Sequence, residues 1–360
     1  MSSRLKSIDS LRGMAAIAVV LYHAGGLSTG VEGLPPFAGK LVTVLCSFGY
    51  TGVFLFFVIS GFCIHLRYAK DGKVNFASFW KRRVKRLYPP YLVALVLYLL
   101  LLVYTGQWRP TAFNLYDLLA HLLMLHNMDA RTIYNIKAVF WTLAVEEQLY
   151  LLYFLLLFVR KRWGWTGALG FCLLTHFVWR AFCFLVNPFI AARAPEHSVW
   201  QLQFPVEGGA LYHWFTWALG ALAVEAWVGK VSLPRWCYSL TLGTCLLVIV
   251  GGLTYAGLIG YSFSLVWGIG YLLIMNGLII REQSLRVNAI AYVGLFSYSL
   301  YLTHGLILSY PAPPGYRVLV SLLLLTPLSI AFAWAYFQIC EKRFIPKPPE
   351  TPLVARLRLS

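Results

Sequence analysis

The stretch RLKSIDSLRGMAAIAVVLYHAGG, Arg4 to Gly26, decides how the rest of the chain is interpreted. It begins basic, becomes apolar at Gly13, and carries an ionisable side chain at each end of the apolar part, Arg12 and His23. On a helix those two side chains lie about 20° apart around the axis and roughly 16 Å apart along it. The pattern predicts a membrane-spanning helix with Arg12 at the cytoplasmic rim and His23 deep in the bilayer.

The composition of the whole chain favours a membrane protein. Of its 360 residues, 59% are hydrophobic and 12% are charged, and a soluble domain carries about twice that charged fraction. We predict an all-α integral membrane protein with about ten transmembrane helices. Their approximate positions are 13–30, 47–66, 89–106, 140–159, 165–186, 209–228, 236–254, 262–280, 289–309 and 317–339. A further apolar piece near 115–125 is too short to cross, so we predict a re-entrant or interfacial helix there.

The formal net charge of +17 is explained by membrane topology. Most of the 30 Lys and Arg residues lie in short loops on one side of the predicted spans, which is the positive-inside pattern. Because ten crossings return the chain to its starting side, both termini are predicted to be cytoplasmic. We expect a multi-pass protein of a bacterial-type inner membrane, in contact with the lipid bilayer and without a nucleic-acid partner.

A single membrane domain is predicted over residues 1–345, followed by a basic, Pro-rich cytoplasmic tail at 346–360. Two long connections, 106–137 and 187–208, are predicted on the outer side, and loops of that length are often functional. The seven Cys residues are odd in number, lack a CxxC motif and lie mostly in apolar runs. We interpret them as small buried hydrophobic residues. The eight His residues show no paired ligand spacing with carboxylates, so no metal site is predicted.

Two interpretations of the Arg12 and His23 pair are open. Arg12 could set topology while His23 is simply satisfied by a neighbouring helix. Ionisable groups inside a span are costly, however, and usually functional. A buried neutral imidazole suits general-base or nucleophilic chemistry near neutral pH, and we favour that role.

The segment FWKRRVKRLYPPY, Phe79 to Tyr91, is interpreted as a basic cytoplasmic loop that leads into the third span at Pro89. It could be only a positive-inside anchor. Arg83 and Arg86 are three residues apart, however, and would face the same way on a helix. Arginine grips phosphate with paired hydrogen bonds, so a phosphate-binding role is equally open. The basic residues of the segment are Lys81, Arg82, Arg83, Lys85 and Arg86.

The segment FWTLAVEEQLYLLY, Phe140 to Tyr153, places two adjacent acids, Glu146 and Glu147, at the start of a span. Tyr150 follows one helical turn after Glu146. An apolar segment does not accept two acids without partners. Glu146 could orient and charge-stabilise an imidazole, as the acid of a catalytic triad does, or it could pair with an Arg for structural reasons.

Two further segments carry weaker signals. In GYTGVFLFFVISGF, residues 49–62, glycines together with Ser60 permit close helix approach. In YVGLFSYSLYLTHG, residues 292–305, Ser297, Tyr301 and His304 form one polar stripe on an apolar helix. Such a stripe is expected to face protein or a watery cavity, and it could equally serve as packing between helices.

The segments IDSLRGMAAIAVVLYH, GVFLFFVISGF, FWKRRVKRLYPPY, FWTLAVEEQLY and SYSLYLTH, in this order, resemble the membrane acyltransferase 3 family over about residues 5–345. The resemblance implies transfer of acyl groups, most often acetyl from cytoplasmic acetyl-CoA, to hydroxyls of sugars, lipids or cell-wall polymers. It implies that His23 is essential and that Arg12 belongs to the same basic-to-His motif. It also matches Arg83 and Arg86 to an Arg-x-x-Arg motif and Glu146 to the acid of a tryptophan–glutamate motif.

The resemblance yields a specific hypothesis for the site. His23, Glu146 and Arg12 are the candidate catalytic residues, with His23 acting as general base or transient acyl carrier. The candidates for contact with the acyl-CoA donor are Arg82, Arg83, Arg86, Tyr301 and His304. The expected acceptor is a surface polysaccharide or a glycolipid. Many relatives carry an added soluble esterase-like domain, and because this chain ends at Ser360 without one, a stand-alone form is expected.

A transporter or flippase is the alternative class. In that interpretation the buried His, Glu and Arg side chains form a proton relay. The phosphate-suited basic segment and the lack of visible internal repeats count against it.

Overall fold

The computed structural model describes residues 5–26, 31, 33–192, 202–260, 264–282, 288–311, 313 and 315–345. All regular secondary structure in these ranges is helical. The α-helices are α1 Lys6–Leu21, α2 Pro36–Ser47, α3 Gly52–Asp71, α4 Phe76–Tyr104, α5 Ala112–Leu122, α6 Trp141–Ala191, α7 Ala210–Trp227, α8 Leu240–Tyr255, α9 Ser264–Ile279, α10 Ala289–Leu295, α11 Ser297–Leu308, α12 Arg317–Val320 and α13 Thr326–Tyr336. Short π-helical turns lie at Tyr22–Gly26, Ser321–Leu325 and Phe337–Glu341, and 3₁₀ turns at Phe48–Thr51, His126–Met128, Ala138–Phe140, Arg235–Tyr238 and Lys342–Phe344.

The all-α fold class is confirmed over the described residues. Four helical stretches there are long and apolar enough to cross a membrane: Pro36–Asp71, Phe76–Tyr104, Ala138–Ala191 and Arg317–Phe344. A fifth crossing results if α10 and α11, bent by 88° at the break between them, form one span. The ten crossings and the side on which each terminus lies remain predictions. The tail at 346–360, and Pro195, Glu196 and His197 of the second outer connection, lie outside the described residues.

The 51-residue stretch α6 consists of two helices that meet at Gly164. The backbone there has φ +65° and ψ −170°, a conformation open to glycine and strained for other residues. The break falls between the predicted spans 140–159 and 165–186. Across it, Arg160 and Trp165 both donate to Glu225 of α7, at 2.5 and 2.7 Å. This buried carboxylate therefore fixes the connection between the two helices.

The interpretation of Phe79–Tyr91 as a loop was wrong. The segment lies within α4, which is helical from Phe76 and continues through Pro89 and Pro90. Two prolines remove backbone donors and disfavour a helix interior. The hydroxyl of Tyr298 donates to the carbonyl of Leu87 at 2.9 Å, and the hydroxyl of Tyr336 donates to the carbonyl of Pro90. These tertiary bonds hold the helix just before the proline pair and at its second member.

Two other elements refine the predictions. Helix α2 was not predicted, and together with the 3₁₀ turn and α3 it forms the 36-residue stretch Pro36–Asp71. The predicted short piece near 115–125 is the 11-residue helix α5, capped by Thr111, whose side chain accepts from the amide of Asn114. All seven Cys residues are free thiols. Four are buried as predicted, but Cys245 is exposed.

The described residues group into two compact units. Unit 1 is drawn from Met1–Gly49, Asn75–Val93 and Gly277–Ser360, and unit 2 from Tyr50–Val74 and Ala94–Asn276. The prediction of a single domain over 1–345 remains a prediction.

Within unit 1, α1 packs directly on α10. A Cβ at Gly13 would overlap the carbonyl oxygen of Ile290, and a Cβ at Gly294 would overlap that of Asp9. The two glycines therefore let the helix backbones touch. Glu282 caps the start of α1 by accepting from the amides of Lys6 and Ser7 at 2.5 and 3.0 Å. A carboxylate at this end also complements the helix dipole.

Candidate functional site

His23 lies in the π-helical turn Tyr22–Gly26 that follows α1. π-Helical turns are rare and are frequent at functional sites. The imidazole is half-buried, and its Nδ1 lies 2.9 Å from the carbonyl oxygen of Val19. Because that carbonyl can only accept, Nδ1 carries the proton. In the neutral ring the lone pair is then on Nε2, the nitrogen that a base or nucleophile uses.

His304 of α11 pairs directly with His23. Its Nε2 lies 3.2 Å from Nδ1 of His23, and the two ring centroids are 5.0 Å apart with 48° between the ring planes. The Nδ1 of His304 lies 2.9 Å from the carbonyl oxygen of Leu300, so it too carries the proton. The structure thus brings together two predicted site residues that are 281 positions apart in the sequence.

The predicted polar stripe on α11 faces protein. Ser297, Tyr301 and His304 are all buried, and the Tyr301 ring centroid lies 6.1 Å from that of His304. Within the stripe, His304 is the residue that contacts His23.

The predicted arginine cluster lies along one side of α4. Arg82, Arg83 and Arg86 are half-buried, while Lys81 and Lys85 of the same turns are exposed. The guanidinium carbon of Arg83 lies 5.6 Å from the centroid of the Phe79 ring. Helical geometry thus separates the arginines from the two solvent-facing lysines.

The sequence interpretation missed Glu341. It ends the π-helical turn Phe337–Glu341 and is 1% exposed. Its carboxylate accepts hydrogen bonds from the amide and the hydroxyl of Ser299, and the positive charges of Arg86 and Arg12 act on it. An acid at the end of an apolar stretch, directly before the basic pair Lys342 and Arg343, was the available signal.

In unit 2, Glu146 accepts hydrogen bonds from hydroxyls on two helices, α3 and α6. Its Oε1 accepts from the hydroxyl of Ser60 on α3 at 2.6 Å and from the hydroxyl of Tyr150, one turn further along α6, at 2.5 Å. The indole of Trp217 on α7 donates to the Ser60 oxygen at 3.2 Å. The predicted close helix approach in 49–62 is found at Gly61, where a Cβ would overlap the carbonyl oxygen of Trp217.

The predicted site residues are therefore divided between the two units. Unit 1 contains His23, Arg12, Tyr301, His304 and the three arginines of α4, whereas Glu146 belongs to unit 2. The catalytic and donor-contact roles of all these residues remain predictions. Among the residues that the structure describes, no group of three His, Cys, Asp or Glu side chains has the arrangement of a metal site.

The chemistry available in unit 1 is that of a proton acceptor or nucleophile, His23, and the same unit contains the arginine face of α4. Over the described residues the protein is all-helical, with several helices long and apolar enough to cross a membrane. A family model described as an acyltransferase domain matches residues 5–338. The chain belongs to this family, acyltransferase 3.

Curated relatives are similar over part of the chain. The O-acetyltransferase OatA of Staphylococcus aureus (strain NCTC 8325 / PS 47) is 30% identical over 164 residues, 41% of this chain and 24% of the relative. The peptidoglycan O-acetyltransferase OatA of Listeria monocytogenes is 30% identical over 172 residues, 43% of this chain and 24% of the relative. The matched region thus spans about a quarter of each relative's length. No solved structure matches the chain.

Proposed function

We propose that the protein is a membrane O-acyltransferase that moves an acetyl or other short acyl group from cytoplasmic acyl-CoA to a hydroxyl of a carbohydrate acceptor. Family membership supports acyl transfer. The names of the relatives support acetyl as the group and oxygen as the acceptor atom. The peptidoglycan in the name of the Listeria relative supports a surface polysaccharide, a glycolipid or a related carbohydrate as the acceptor.

The proposal includes the membrane topology. The chain crosses a bacterial-type inner membrane ten times with both termini in the cytoplasm, and the arginine face of α4 then lies at the cytoplasmic side. The positive-inside distribution of Lys and Arg supports this orientation. Coenzyme A carries several phosphate charges, and arginine is the residue best suited to bind them.

The observation that carries the proposal is the state of His23. Its Nδ1 proton is directed at the Val19 carbonyl, which leaves the lone pair on Nε2. As general base, Nε2 would take the proton of the acceptor hydroxyl while the oxygen attacks the thioester carbonyl. As nucleophile, it would bond to that carbonyl carbon and release the coenzyme A thiolate. Arg12 or Tyr301 would stabilise the developing negative charge, and Glu146 is proposed as a carboxylate that catalysis requires.

The test replaces His23 in purified, reconstituted protein. We expect His23→Gln to abolish acetyl transfer from heavy-isotope acetyl-CoA while the protein still folds and binds coenzyme A. The matched control is His176→Gln, which removes a buried imidazole in unit 2 whose Nδ1 lies 2.7 Å from the Tyr212 carbonyl. Full activity of the His23→Gln variant would disprove the proposal. Mass spectrometry without acceptor distinguishes the routes, because only the nucleophilic one leaves a label on His23.

The donor site has its own test. We expect the double change Arg83→Ala with Arg86→Ala to raise KM for acetyl-CoA at least about tenfold, since each charge-assisted hydrogen bond contributes about 1.5–3 kcal/mol. The control is Lys81→Ala with Lys85→Ala, which removes the same charge from the exposed side of α4. If both double variants raised KM equally, the arginines would have no specific role in binding the donor and would serve only as a membrane anchor.

One observation favours the alternative, a proton-coupled transporter. Broken helices such as the α10–α11 pair, bent by 88°, form the substrate sites of many transporters. Thermal stabilisation of the purified protein by coenzyme A separates the two functions, because a transporter has no reason to bind it.

A further inference from the structure

We propose that His304 is a positioning residue that holds His23 in its Nδ1-protonated form and stabilises the positive charge that His23 gains during acyl transfer. The inference rests on the proposed function and adds a second imidazole to it. It differs from the donor contact that the sequence predicted for His304.

The tautomers of both rings follow from their hydrogen bonds. The Nδ1 of each imidazole lies 2.9 Å from the carbonyl oxygen four residues earlier, that of Val19 for His23 and that of Leu300 for His304. Both Nδ1 atoms must therefore carry protons. The Nε2 of neutral His304 is then an acceptor, and it lies 3.2 Å from Nδ1 of His23. The Nδ1 proton of His23 is shared between the Val19 carbonyl oxygen and the His304 Nε2. The lone pair of the neutral His23 ring is therefore on its Nε2.

The pair can hold one positive charge but not two. Protonation of His304 on Nε2 would set that new N–H against the N–H of His23 Nδ1, and two like charges at this distance repel. When His23 becomes charged, His304 therefore stays neutral and keeps its lone pair toward the charged ring. A hydrogen bond from a charged donor is roughly twice as strong as one between neutral groups.

Both possible routes charge His23. As general base, Nε2 takes the hydroxyl proton, the alkoxide oxygen bonds to the acyl carbon, and the C–S bond breaks. The proton then passes to the coenzyme A thiolate. As nucleophile, Nε2 bonds to the acyl carbon as the C–S bond breaks, and the ring carries the acyl group and a positive charge until the hydroxyl oxygen displaces it. The hydroxyl proton again ends on the thiolate. His304 thus assists whichever route operates.

The surroundings of His304 keep it in place. The side chain is fully buried, and α11 begins directly after the 88° bend. The Nδ1 of His304 is held by the carbonyl of Leu300, one turn earlier in the same helix, at 2.9 Å. The orientation of Nε2 toward His23 is therefore built into α11.

The test compares His304→Leu with His304→Gln in the full-length reconstituted protein. Leu removes the acceptor, whereas the amide oxygen of Gln can replace it. We expect His304→Leu to lower kcat about 10- to 100-fold, the usual effect of losing a group that orients a catalytic residue. KM for acetyl-CoA should stay within about twofold of wild type, because no donor contact is lost. His304→Gln should recover much of kcat, and added imidazole should partly restore His304→Ala.

The control is Thr303→Val, which keeps the volume of the neighbouring buried side chain and should retain kcat. An unchanged kcat in His304→Leu would overturn the proposal. So would a raised KM with normal kcat, which would assign His304 to the donor. Equal losses in Leu and Gln variants, without imidazole rescue, would make it a packing residue. An active His23→Gln variant would instead defeat the proposed function, whatever the His304 variants do.

Discussion

Glu341 accepts two hydrogen bonds from Ser299, one from its amide at 3.2 Å and one from its hydroxyl at 2.6 Å. Ser299 lies in the first turn of α11, where backbone amides lack partners within the helix. A carboxylate there also complements the helix dipole. Glu341 thus anchors the start of the helix that carries His304, and its charge balances part of that of Arg12 and Arg86.

Replacing Glu341 should separate its hydrogen bonds from its charge. We expect Glu341→Ala to lower the free energy of unfolding by about 1–3 kcal/mol, because the buried Ser299 donors lose their acceptor. Glu341→Gln keeps an acceptor at the same place and should lose less. Thermal unfolding of the detergent-solubilised protein measures the difference. A Gln variant as unstable as the Ala variant would show that the charge, not the hydrogen bonds, matters.

The crossing of α1 and α10 leaves no room for a side chain at its glycines. We expect Gly294→Ala to cost about 1–3 kcal/mol, because its Cβ would overlap the backbone of Asp9. Gly170→Ala in α6 is the control, since a Cβ there has nothing within 4 Å. That change should stabilise by up to about 1 kcal/mol, from helix propensity alone. Equal thermal midpoints for the two variants would disprove the close approach.

The donors on Glu146 predict a graded loss of activity. Ser60→Ala and Tyr150→Phe each remove one of the two hydroxyls on Oε1, and we expect each to lower kcat by about threefold to tenfold, as loss of about 1 kcal/mol of hydrogen bonding implies. The double variant should approach Glu146→Gln. Tyr153→Phe is the control, because the Tyr153 hydroxyl lies against His65 instead. Normal rates in the double variant would show that Glu146 needs no positioning.

Glu225 should be a major contributor to the stability of unit 2. It is fully buried and binds His65, Arg160 and Trp165. Breaking a buried charge network from one side typically costs about 3–5 kcal/mol, so Glu225→Ala should lower the thermal midpoint strongly. The exposed ion pair of Arg67 and Asp71 offers the control. Asp71→Ala should change stability by less than about 1 kcal/mol, and a comparable loss there would refute the argument from burial.

His126 should make the protein less stable in acid. Burial, with the nearby His121 as a smaller cause, lowers the pKa of His126 well below its usual value. The His126 ring stacks on that of His121 with centroids 3.9 Å apart, and His121 is paired with Asp117. The unfolded chain then binds more protons than the folded one below pH about 6.5, so stability falls as pH falls through that range.

The variant His126→Phe keeps an aromatic ring for stacking but cannot take up a proton. We expect the thermal midpoint of the wild type to fall between pH 7 and pH 5, and that of His126→Phe to fall less. The difference in slope approaches one proton, or about 1.36 kcal/mol per pH unit. Parallel curves for the two proteins would mean that other groups carry the acid sensitivity.

Local sequence pattern was sufficient for the features that depend on neighbours along the chain. Apolar periodicity located helices that overlap the predicted spans, although it missed α2 and placed the start of the third span too late. Helical spacing also put Tyr150 on Glu146 and kept Arg83 and Arg86 on one side of α4. These relationships arise within one or two helical turns, where geometry is set by the backbone.

Only the tertiary structure decided which side chains from distant helices contact each other. It paired His23 with His304 and Ser60 with Glu146, placed Glu341 near Arg12 and Arg86, and carried α4 through Pro89 and Pro90. Each of these depends on which helices pack together, and apolar periodicity gives a helix a buried face without naming its neighbour. An isolated proline rule predicts a helix start at Pro89, but the Tyr298 and Tyr336 hydroxyls that support α4 there come from helices more than 200 residues away in the chain. The amino-acid sequence by itself was enough to predict most of the helices, the membrane-type composition and the candidate base. The packing of those helices determined which charge and which imidazole each candidate residue meets, because such contacts form only when distant segments are brought together.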